Sequence, residues 1–390
     1  MIERRIYLDH AATTPLDERV LTAMVPYFNE KFGNPSSVHS WGQEAEGAVE
    51  GARRRVAEVL GCYSQEIVFT SGGSESDNLA LRGAAFAERE SRRANRILTT
   101  PVEHPAVLNT AEDLASRFGF HLDLLPVDHN GRVNPGDLVE RITPETAVVS
   151  VIYGNNEIGT INPIRELGAI CRERGVLFHT DAVQSASQLL ILADSLNVDL
   201  MSIGAHKFYG PKGIGALYVR NGTRLAGSQT GGGQERGLRA GTHNVPLIVG
   251  LAEALRITHE ERASLAARFR LLRERIVAGV LEGVPDSKLT GHPRERLPNH
   301  ASFVIRGVDA NALLAALDIA GFACSSGSAC KTGDPEPSAV LTALGFSDEW
   351  SLGSLRVTVG RATTPENIEA FLEALPAIVR RVRAASLARP

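Results

Sequence analysis

A glycine-containing turn between a strand-like run and a helical one is the first segment of this chain whose residue types suggest chemistry. The residues SGGSES (71–76) follow the apolar run EIVFT (66–70) and precede a helical pattern. At such a turn Gly73 and Ser74 would present backbone N–H groups and a hydroxyl at a helix N-terminus, where an anion is favoured. The pattern predicts a phosphate site, and a plain serine N-cap is the competing interpretation.

An aspartate and a lysine follow later strand-like runs. Asp181 lies in FHTDAVQ (178–184), where a carboxylate could pair with a pyridinium nitrogen and keep it protonated; a helix N-cap is the alternative. Lys207 lies in GAHKFYGPKG (204–213), where partial burial would lower its pKa enough to let it form an imine with an aldehyde. A phosphate turn, an aspartate and a lysine about 26 residues beyond it resemble the layout of fold-type I enzymes of pyridoxal 5'-phosphate (PLP).

His104 follows the strand-like run RILTT (96–100) and precedes Pro105, which suits the first position of a helix. An imidazole at this place could stack over a cofactor ring and transfer protons. A histidine that only caps the helix is the alternative.

A cysteine in the second half of the chain is a candidate nucleophile. Cys330 lies in CSSGSACKTG (324–333), a segment of small residues after a strand-like run. A thiolate there could reach a substrate held over a cofactor, and the neighbouring Lys331 would favour the thiolate form. The thiols interpreted as inert and buried are Cys62, Cys171 and Cys324.

Strand-like runs alternate with amphipathic helical stretches from about residue 60 to 220, which predicts a mainly parallel sheet flanked by helices. Besides the strands above, the clearest are AVVSVI (147–152), VLFHT (176–180), DLMSI (199–203) and IGALYV (214–219). Helices are expected to start near Ser74, Pro105, Pro163 and Ala182. Because ligands gather at the carboxyl ends of such strands, the polar residues described above are expected to share one site.

The second half of the chain predicts a smaller α+β domain. A long helical stretch from about Pro246 to Gly279 leads away from the sheet, and strand and helix units follow it. We expect residues 15–260 to form the large domain, and residues 1–14 with 261–390 to form the small one. The glycine-rich loop 226–242 is long and charged enough to reach beyond its own domain.

Composition excludes several classes of protein. The chain has 390 residues, of which 43% are hydrophobic, and a formal net charge of -4 with mostly scattered basic residues, so no nucleic-acid partner is expected. No apolar run approaches the ~20 residues of a membrane span or resembles a secretory signal. Four cysteines without a CxxC pair predict neither a disulfide framework nor a zinc site. We expect a cytoplasmic protein that binds no metal.

Motifs spread over nearly the whole chain resemble those of the cysteine desulfurases of the NifS/IscS type, which are fold-type I PLP enzymes of the class-V aminotransferase family. The matching stretches are YLDHAATTP, FGNPSSVH, TSGGSESDNLA, VEHPAVL, GNNEIGT, FHTDAVQ, HKFYGPKGIGALYV, GGGQERGLRAGT, SSGSAC and LRVTVGRATT. The resemblance implies an α/β fold with a mainly parallel seven-stranded sheet in the large domain, a smaller α+β domain, and a homodimer. The SSGSAC form resembles the family group that has a long cysteine loop.

The same resemblance implies roles for individual side chains around PLP. Lys207 would bind the cofactor covalently and later take the substrate's Cα proton, His104 would stack on the ring, and Asp181 would pair with the ring nitrogen. Gln184 would bind the phenolic oxygen. The groups implied to hold the phosphate are Gly73, Ser74, His206 and, from the neighbouring subunit, Thr242.

The resemblance also implies a substrate and a reaction. Arg356 would clamp the carboxylate of L-cysteine in a bidentate pair, with help from Asn155 and Asn34. Cys330 would take the substrate sulfur, release L-alanine and pass the persulfide to an acceptor such as an iron–sulfur scaffold or a thiolation enzyme. A selenocysteine lyase or an aminotransferase of the same fold is an alternative, and so is a non-catalytic scaffold protein.

Three features depart from the family pattern. Family members commonly have serine where Gly204 stands, so one hydroxyl contact to the phosphate would be missing or replaced. Lys331 replaces a small polar residue after the nucleophile. The C-terminal residues RRVRAASLARP (380–390) do not resemble the tail with which housekeeping members dock a scaffold protein, which leaves the acceptor open.

Overall fold

The computed structural model describes residues 5–327 and 337–387 of the chain. Cys330 and Lys331 lie outside these described residues, and so does the end of the C-terminal tail. The interpretation of Cys330 as the nucleophile therefore stays a prediction.

Twelve strands are described, and seven of them form one sheet. The strands are β1 (Ile6–Tyr7), β2 (Ile67–Thr70), β3 (Arg96–Thr99), β4 (His121–Leu124), β5 (Thr146–Ser150), β6 (Leu177–Asp181), β7 (Leu200–Gly204), β8 (Gly215–Val219), β9 (Ser287–Leu289), β10 (His300–Ile305), β11 (Phe322–Ala323) and β12 (Ser354–Thr358). The large sheet has the order β2-β8-β7-β6-β5-β3-β4. Its neighbours pair in parallel, except that β8 runs antiparallel to β2 and β7.

Burial on both faces explains why the central runs form strands. Every residue of β2, β5, β7 and β8 is buried, as expected for a largely parallel sheet covered by helices. The edge strand β4 is different, because His121 and Leu124 are exposed and the two residues between them are only partly buried. The sequence did not predict β4, since an edge strand of the pattern HLDL lacks a continuous apolar run.

The helices cover the sheets and begin largely where proline and small polar residues predicted. They are α1 (Glu18–Met24), α2 (Pro26–Asn29), α3 (Ser40–Leu60), α4 (Gly73–Arg92), α5 (Pro105–Phe118), α6 (Pro135–Arg141), α7 (Ile164–Arg174), α8 (Ala193–Leu196), α9 (Val245–Gly283), α10 (Ala310–Ile319), α11 (Ala339–Ala343), α12 (Asp348–Ser351) and α13 (Pro365–Leu387). None of the described helices has both the length and the apolar character needed to cross a lipid bilayer.

The helix expected near Ala182 is wrong. The chain there makes only a short 3-10 turn, Ser185–Ser187. The carboxylate of Asp181 accepts a hydrogen bond from the N–H of Val183 at 2.8 Å, and such a local bond favours a turn over a regular helix.

The 39-residue helix α9 joins two hydrophobic cores. Its buried residues up to Ile257 pack into the core of the large sheet, and those from Phe269 onward join a second core. The second core also contains Ile6 and Leu8 and is built on the three-stranded sheet β12-β10-β9. The domain boundary that we expected between residues 260 and 261 falls inside α9, between these two sets of buried residues.

Candidate active site

A cavity of about 220 Å³ opens at the carboxyl ends of β6 and β7, beside the N-termini of α4 and α5. The carboxyl ends of parallel strands are where ligands bind in sheets of this kind. The lining residues are Ala11, Ala12, Gly73, Ser74, Asp77, His104, Ile152, Asn156, Asp181, Val183, Gln184, His206, Lys207 and Arg356. Most of the side chains singled out in the sequence therefore meet in one place.

Lys207 lies in a 3-10 turn, Ala205–Lys207, that follows β7 directly. Its Nζ donates hydrogen bonds to the carbonyl oxygens of Ala11 at 2.6 Å and Ala12 at 2.7 Å. Burial lowers the pKa of the Lys207 amine to about 8, and the nearby Arg356 guanidinium acts in the same direction. The surroundings thus increase the fraction of neutral amine, which is the nucleophilic form, compared with an exposed lysine.

Asp181 is the last residue of β6 and is buried. Burial raises the pKa of its carboxyl group, although His104, Lys207 and the N–H of Val183 oppose this effect. Oxygen atoms of Asp181 and Asp77 and a ring nitrogen of His104 all lie within 4.8 Å of one another. A group with an exchangeable proton would therefore find two carboxylates and an imidazole at this end of the cavity.

Asp77 is a lining residue that the sequence analysis missed. It lies in the first turns of α4, is 1% exposed, and its Oδ1 has no hydrogen-bond partner among the described residues. Burial raises the pKa of the Asp77 carboxyl well above its usual value, and the negative charge of Asp181 adds to the effect. In the sequence Asp77 follows Ser76 near the start of a helix. An acidic residue there usually lies in solvent and stabilises the first turn, so it gave no sign of lining a cavity.

A buried polar network lies behind the two aspartates. The His179 ring nitrogens contact Ser150 Oγ at 2.8 Å and Ser202 Oγ at 3.0 Å, and burial lowers the pKa of this histidine to about 3. Glu103 accepts hydrogen bonds from Thr100 Oγ1 and the N–H of Ile152, and burial raises its pKa to about 8. The floor of the cavity is therefore polar but largely uncharged.

His104 caps a helix and also borders the cavity, so its predicted role in proton transfer stays a prediction that is compatible with capping. It is the N-cap of α5, where its Nδ1 accepts the N–H of Ala106 at 3.1 Å, and its ring also lines the cavity. Capping fixes the Nδ1 side of the ring, so Nε2 is the nitrogen that remains for proton transfer.

Gly73 and Ser74 open the 20-residue helix α4 at the cavity wall, where backbone N–H groups and the helix dipole favour an anion. His206 also lines the cavity, with its Nδ1 3.2 Å from Thr13 Oγ1 and its pKa lowered to about 4 by burial. A Cβ atom on Gly204 would lie 3.4 Å from the N atom of Gly73, which is ordinary contact distance. The wall of the cavity therefore has room for a Cβ atom at position 204, where family members commonly have serine.

Arg356, in β12, reaches the cavity from the second core. Its terminal nitrogens donate to the Asn156 carbonyl at 3.1 Å and to Asp9 Oδ1 at 3.0 Å, while its Nε is buried without a partner among the described residues. A ligand carboxylate would find a partly satisfied guanidinium that still has donors to offer.

The predicted substrate contact of Asn155 stays a prediction, and the described contacts of this side chain do not support it. Its side chain is fully buried and is used by the backbone: Nδ2 donates to the Val102 carbonyl, and Oδ1 accepts the N–H groups of Glu157 and Ile158. The adjacent Asn156 lines the cavity instead. The sequence GNNEIGT offers two neighbouring amides, and only the turn that Asn155 closes decides which one faces the cavity.

Two further predicted residues lie away from the cavity. Asn34 is exposed, and its Oδ1 accepts the N–H of Ser36 at 3.0 Å. Thr242 is also exposed, at the end of the glycine-rich loop, and does not line the cavity of its own chain. Gln184, by contrast, lines the cavity and donates through Nε2 to the Ala11 carbonyl at 2.7 Å.

The groups around the cavity fit the chemistry of PLP, which carries an aldehyde, a ring nitrogen, a phenolic oxygen and a phosphate. Lys207 supplies an amine of lowered pKa, and Asp181 with Asp77 supplies carboxyl groups, one of which has an unpartnered oxygen. Gly204 leaves room for a Cβ atom beside the N-terminus of α4, whereas at Gly73 a Cβ atom would lie only 2.6 Å from Val183 Cγ2, so the turn that would face a phosphate requires glycine there.

Comparison with known proteins identifies the family. The aminotransferase class-V family model matches residues 6–371. A cysteine desulfurase IscS of Clostridium botulinum is 44% identical over 385 residues, which are 98% of this chain and 96% of the relative. A solved NifS-like protein superposes with a TM-score of 0.90 at 37% identity, covering 97% of this chain and 100% of its own. The structure of SspA in complex with cysteine superposes with a TM-score of 0.79 at 35% identity, covering 91% and 98%.

Proposed function

The chain belongs to the class-V aminotransferase family, whose cysteine desulfurase members depend on PLP, and from this membership we propose that it takes sulfur from L-cysteine. The observation that carries the proposal is the convergence of Lys207, Asp181 and Arg356 on one cavity. A PLP enzyme that acts on amino acids requires three such groups: an amine of lowered pKa, a carboxylate and a guanidinium that binds the substrate carboxylate. The activity named for the Clostridium botulinum relative supports cysteine as the amino acid.

In the proposed enzyme the cavity residues hold the cofactor by its polar groups. Lys207 Nζ would bind the aldehyde, Asp181 would keep the ring nitrogen protonated, and Gln184, which lines the same cavity, would bind the phenolic oxygen. When bound, PLP withdraws electrons from the Cα of an attached amino acid. The groups proposed to bind the phosphate are Gly73, Ser74, His206 and the partner subunit's Thr242.

Proton transfer is proposed for Lys207 and His104. The neutral form of Lys207 Nζ accepts the Cα proton of the substrate, which a protonated lysine could not do. The N–H of Ala106 donates to Nδ1 of His104 and fixes the ring, so Nε2 is the atom proposed to exchange protons.

Arg356 is proposed to bind the substrate carboxylate. Its buried Nε has no partner among the described residues, so an incoming carboxylate would satisfy a donor that otherwise costs free energy. Asp9 and the Asn156 carbonyl hold the two terminal nitrogens and thereby orient the guanidinium plane. The Asn156 amide is the better candidate than Asn155 for an additional contact with the substrate or cofactor, since it lines the cavity.

Cys330 is proposed as the nucleophile. Its thiolate attacks the substrate sulfur, the C–S bond of the substrate breaks, and the substrate carbon takes a proton, so that L-cysteine and the Cys330 thiol give L-alanine and a Cys330 persulfide. No external oxidant or reductant is required. Support comes from the described residues just before the segment: Ser325 and Arg356 exchange both backbone hydrogen bonds, at 3.2 and 2.7 Å, which ties the start of the SSGSAC segment to the residue that binds substrate.

We further propose a homodimer. Four large apolar side chains are exposed around α2 and the start of α3: Phe28, Phe32, Val38 and Trp41. Val38 is 90% exposed. Exposed apolar clusters of this kind mark interaction surfaces. The neighbouring glycine-rich loop borders a cavity of about 550 Å³ and ends at the exposed Thr242, which supports its insertion into a partner's active site.

The proposed acceptor of the sulfur is a protein of iron–sulfur assembly or thiolation, and the proposed compartment is the cytoplasm. The thiols Cys62, Cys171 and Cys324 are free in the described chain, which suits a reducing environment. Burial raises the pKa of Cys62 to about 12 and raises that of Cys171 and Cys324 as well, so these thiols stay protonated and do not compete as nucleophiles.

The test is a comparison of Cys330→Ala with Cys324→Ala in the PLP-loaded protein. Cys330→Ala should keep the absorbance of bound PLP and its change on addition of L-cysteine, but form neither persulfide nor more than traces of alanine. Cys324→Ala should form both. Normal turnover by Cys330→Ala would show that another group removes the sulfur, and an aminotransferase or selenocysteine lyase would keep its own activity in that variant.

A further inference from the structure

Both ends of the segment that carries Cys330 contact the same carboxylate. Ser338, the first helix-capping residue after the segment, donates through Oγ to Glu157 Oε2 at 2.6 Å. Before the segment, the backbone of Gly327 lies against the same oxygen, because a Cβ atom on Gly327 would be only 2.7 Å from Glu157 Oε2. Glu157 thus accepts a hydrogen bond from Ser338 and packs against the backbone of Gly327.

Glu157 is itself held on a rigid loop at the cavity wall. Asn155 Oδ1 accepts the N–H of Glu157 at 2.8 Å, while the Asn155 amide is anchored to the Val102 carbonyl at 2.7 Å. The carbonyl of the adjacent Asn156 is contacted by His300 Nε2 at 3.0 Å and by a terminal nitrogen of Arg356 at 3.1 Å. The carboxylate therefore has a fixed position relative to the residue proposed to bind substrate.

The two ends are also tied to the second core independently of Glu157. Gly327 donates its N–H to Ser354 Oγ at 3.3 Å, and Ser325 pairs with Arg356 through the backbone. The Ser338 hydroxyl also accepts the N–H of Leu341 at 3.3 Å, which starts α11. Glu157 adds a side-chain contact to the two that His300 and Arg356 already make with the Asn156 carbonyl of the same loop.

Retaining a carboxylate at this place has a cost that the fold alone does not explain. Burial raises the pKa of Glu157 to about 7, and the Ser338 hydroxyl and the Arg356 charge only partly offset the effect. A partly buried carboxylate is tolerated when its hydrogen bonds hold something in place. Its partners here are the two residues that flank the proposed nucleophile.

We propose that Glu157 is a positioning residue that fixes both ends of the Cys330 segment beside Arg356. The inference rests on the proposed function, since it assigns Glu157 to the sulfur-transfer step and not to cofactor or substrate binding. Through these contacts Glu157 holds Gly327 and Ser338, the described residues on either side of the segment, near Arg356, and misplacement of a reacting group by about 1 Å can cost on the order of a hundredfold in rate.

The experiment compares Glu157→Ala, Glu157→Gln and Ser338→Ala in the PLP-loaded protein, with Glu173→Ala on the exposed face of α7 as a control. Glu157→Ala should lower the single-turnover rate of persulfide and alanine formation by about tenfold to a hundredfold. The absorbance change of bound PLP with L-cysteine should keep its dissociation constant within about twofold. The side-chain amide introduced by Glu157→Gln retains an oxygen that can accept the Ser338 hydroxyl, so this variant should stay within about threefold of the parent protein.

Two further measurements separate positioning from a general loss of structure. Ser338→Ala should reproduce the loss of persulfide formation, and the double variant Glu157→Ala with Ser338→Ala should be no slower than the slower single variant, because both remove the same contact. Amide hydrogen exchange should become faster at Gly327 and Leu341 in Glu157→Ala and stay unchanged in Glu173→Ala.

The inference is wrong if Glu157→Ala forms persulfide at the parent rate, if Glu157→Gln is as slow as Glu157→Ala, or if the dissociation constant for L-cysteine rises in step with the lost rate. The proposed function fails differently. In that case the unsubstituted protein itself gives no alanine from L-cysteine, whatever residue stands at position 157.

Discussion

The amine of Lys207 lies in surroundings that make it easier to deprotonate than an exposed lysine. Burial lowers its pKa to about 8, and the positive charge of Arg356 acts in the same direction, while Asp181 and Asp9 oppose it. Two backbone carbonyl oxygens accept hydrogen bonds from its Nζ, at 2.6 and 2.7 Å. The amine is thus held toward the cavity and needs only to lose one proton to become a nucleophile.

We predict that PLP binds to the cofactor-free protein faster as the pH rises toward the pKa of Lys207. The rate should increase about tenfold per pH unit below about 7 and level off above about 8, because only the neutral amine attacks an aldehyde. Absorbance of the bound cofactor after rapid mixing measures it. Arg356→Gln should shift the profile to higher pH by removing a nearby positive charge, and a rate independent of pH from about 6 to 9 would contradict the prediction.

Asp77 and Asp181 share one end of the cavity, where two ionised carboxylates would repel each other. Because burial and Asp181 both raise the pKa of Asp77, we expect Asp77 to be the protonated member of the pair. Its Oδ1 has no hydrogen-bond partner among the described residues and lies 3.6 Å from His179 Nε2.

Asp77→Asn should therefore be nearly silent, whereas Asp181→Asn should weaken PLP binding. The amide has the shape and the zero charge of a protonated carboxyl group, so the dissociation constant for PLP should change less than about threefold in Asp77→Asn. Asp181→Asn removes the charge that holds a proton on the ring nitrogen, and its dissociation constant should rise by more than about tenfold. Equal losses in the two variants, measured by equilibrium dialysis, would mean that Asp77 is ionised.

The glycine-rich loop after β8 is anchored by a buried ion pair. Glu235 accepts hydrogen bonds from Arg53 at 2.7 and 2.8 Å, from His243 at 2.7 Å and from the N–H of Phe69 at 2.9 Å. Glu235 and Arg236 both have left-handed backbone angles, with φ values of 47° and 57°. Strained backbone of this kind persists only when the contacts around it outweigh the strain.

Glu235→Ala should lower the free energy of unfolding by about 3–5 kcal/mol, because it removes the buried carboxylate that pairs with both terminal nitrogens of Arg53 and leaves the half-exposed Glu50 as the remaining acidic partner described for this guanidinium. Thermal unfolding of the PLP-free protein measures the loss. Glu50→Ala is the matched control: Glu50 contacts the same Arg53 at 2.9 Å but its side chain is 44% exposed, so its removal should cost less than about 1 kcal/mol. Similar losses in both variants would contradict the argument from burial.

The ion pair also predicts a direction of pH dependence. Burial alone would raise the pKa of Glu235, but its hydrogen bonds from Arg53 and His243 hold it at about 2, below the value of an unfolded chain. A depressed pKa contributes stability that is full above the unfolded value of roughly 4.3 and is lost as the pH falls toward 2. The difference in unfolding free energy between the parent and Glu235→Ala should therefore shrink in acid, and a constant difference between about pH 6 and 3 would contradict it.

The sequence predicted the features that follow from a local pattern of apolar and polar residues. It missed those that follow from contacts between segments in the folded chain. Lys207 and Asp181 could be located because each directly follows an apolar run that the sheet buries. Asn155 and Asn156 could not be distinguished, since the choice between them depends on a turn that only the folded loop closes. β4 was missed because an edge strand needs little apolar sequence.

At the scale of the whole molecule, the exposed apolar surface of Phe28, Phe32, Val38 and Trp41 lies next to the loop that ends at Thr242. We predict that Phe32→Glu separates the proposed dimer, because a charge would be buried among apolar side chains of the partner. Phe32 is 64% exposed in the single chain and contacts the ring of Trp41. Sedimentation velocity should show the monomer, and PLP binding should weaken because the partner subunit's Thr242 is lost. Leu271→Glu, at a 70% exposed site on α9, should leave the mass unchanged; dissociation by both substitutions would contradict the assignment.

The pairing of Asp9 with Arg356 joins residues 347 positions apart along the chain. On a ribosome, the first of these emerges before any strand of the large sheet, and the second only after the whole large sheet has been made. The nascent polypeptide can therefore fold its sheet and gather Lys207 and Asp181 while the substrate clamp does not yet exist. The pair with Asp9 can therefore form only once β12 has been translated, and we expect a chain that ends before β12 to lack the substrate clamp.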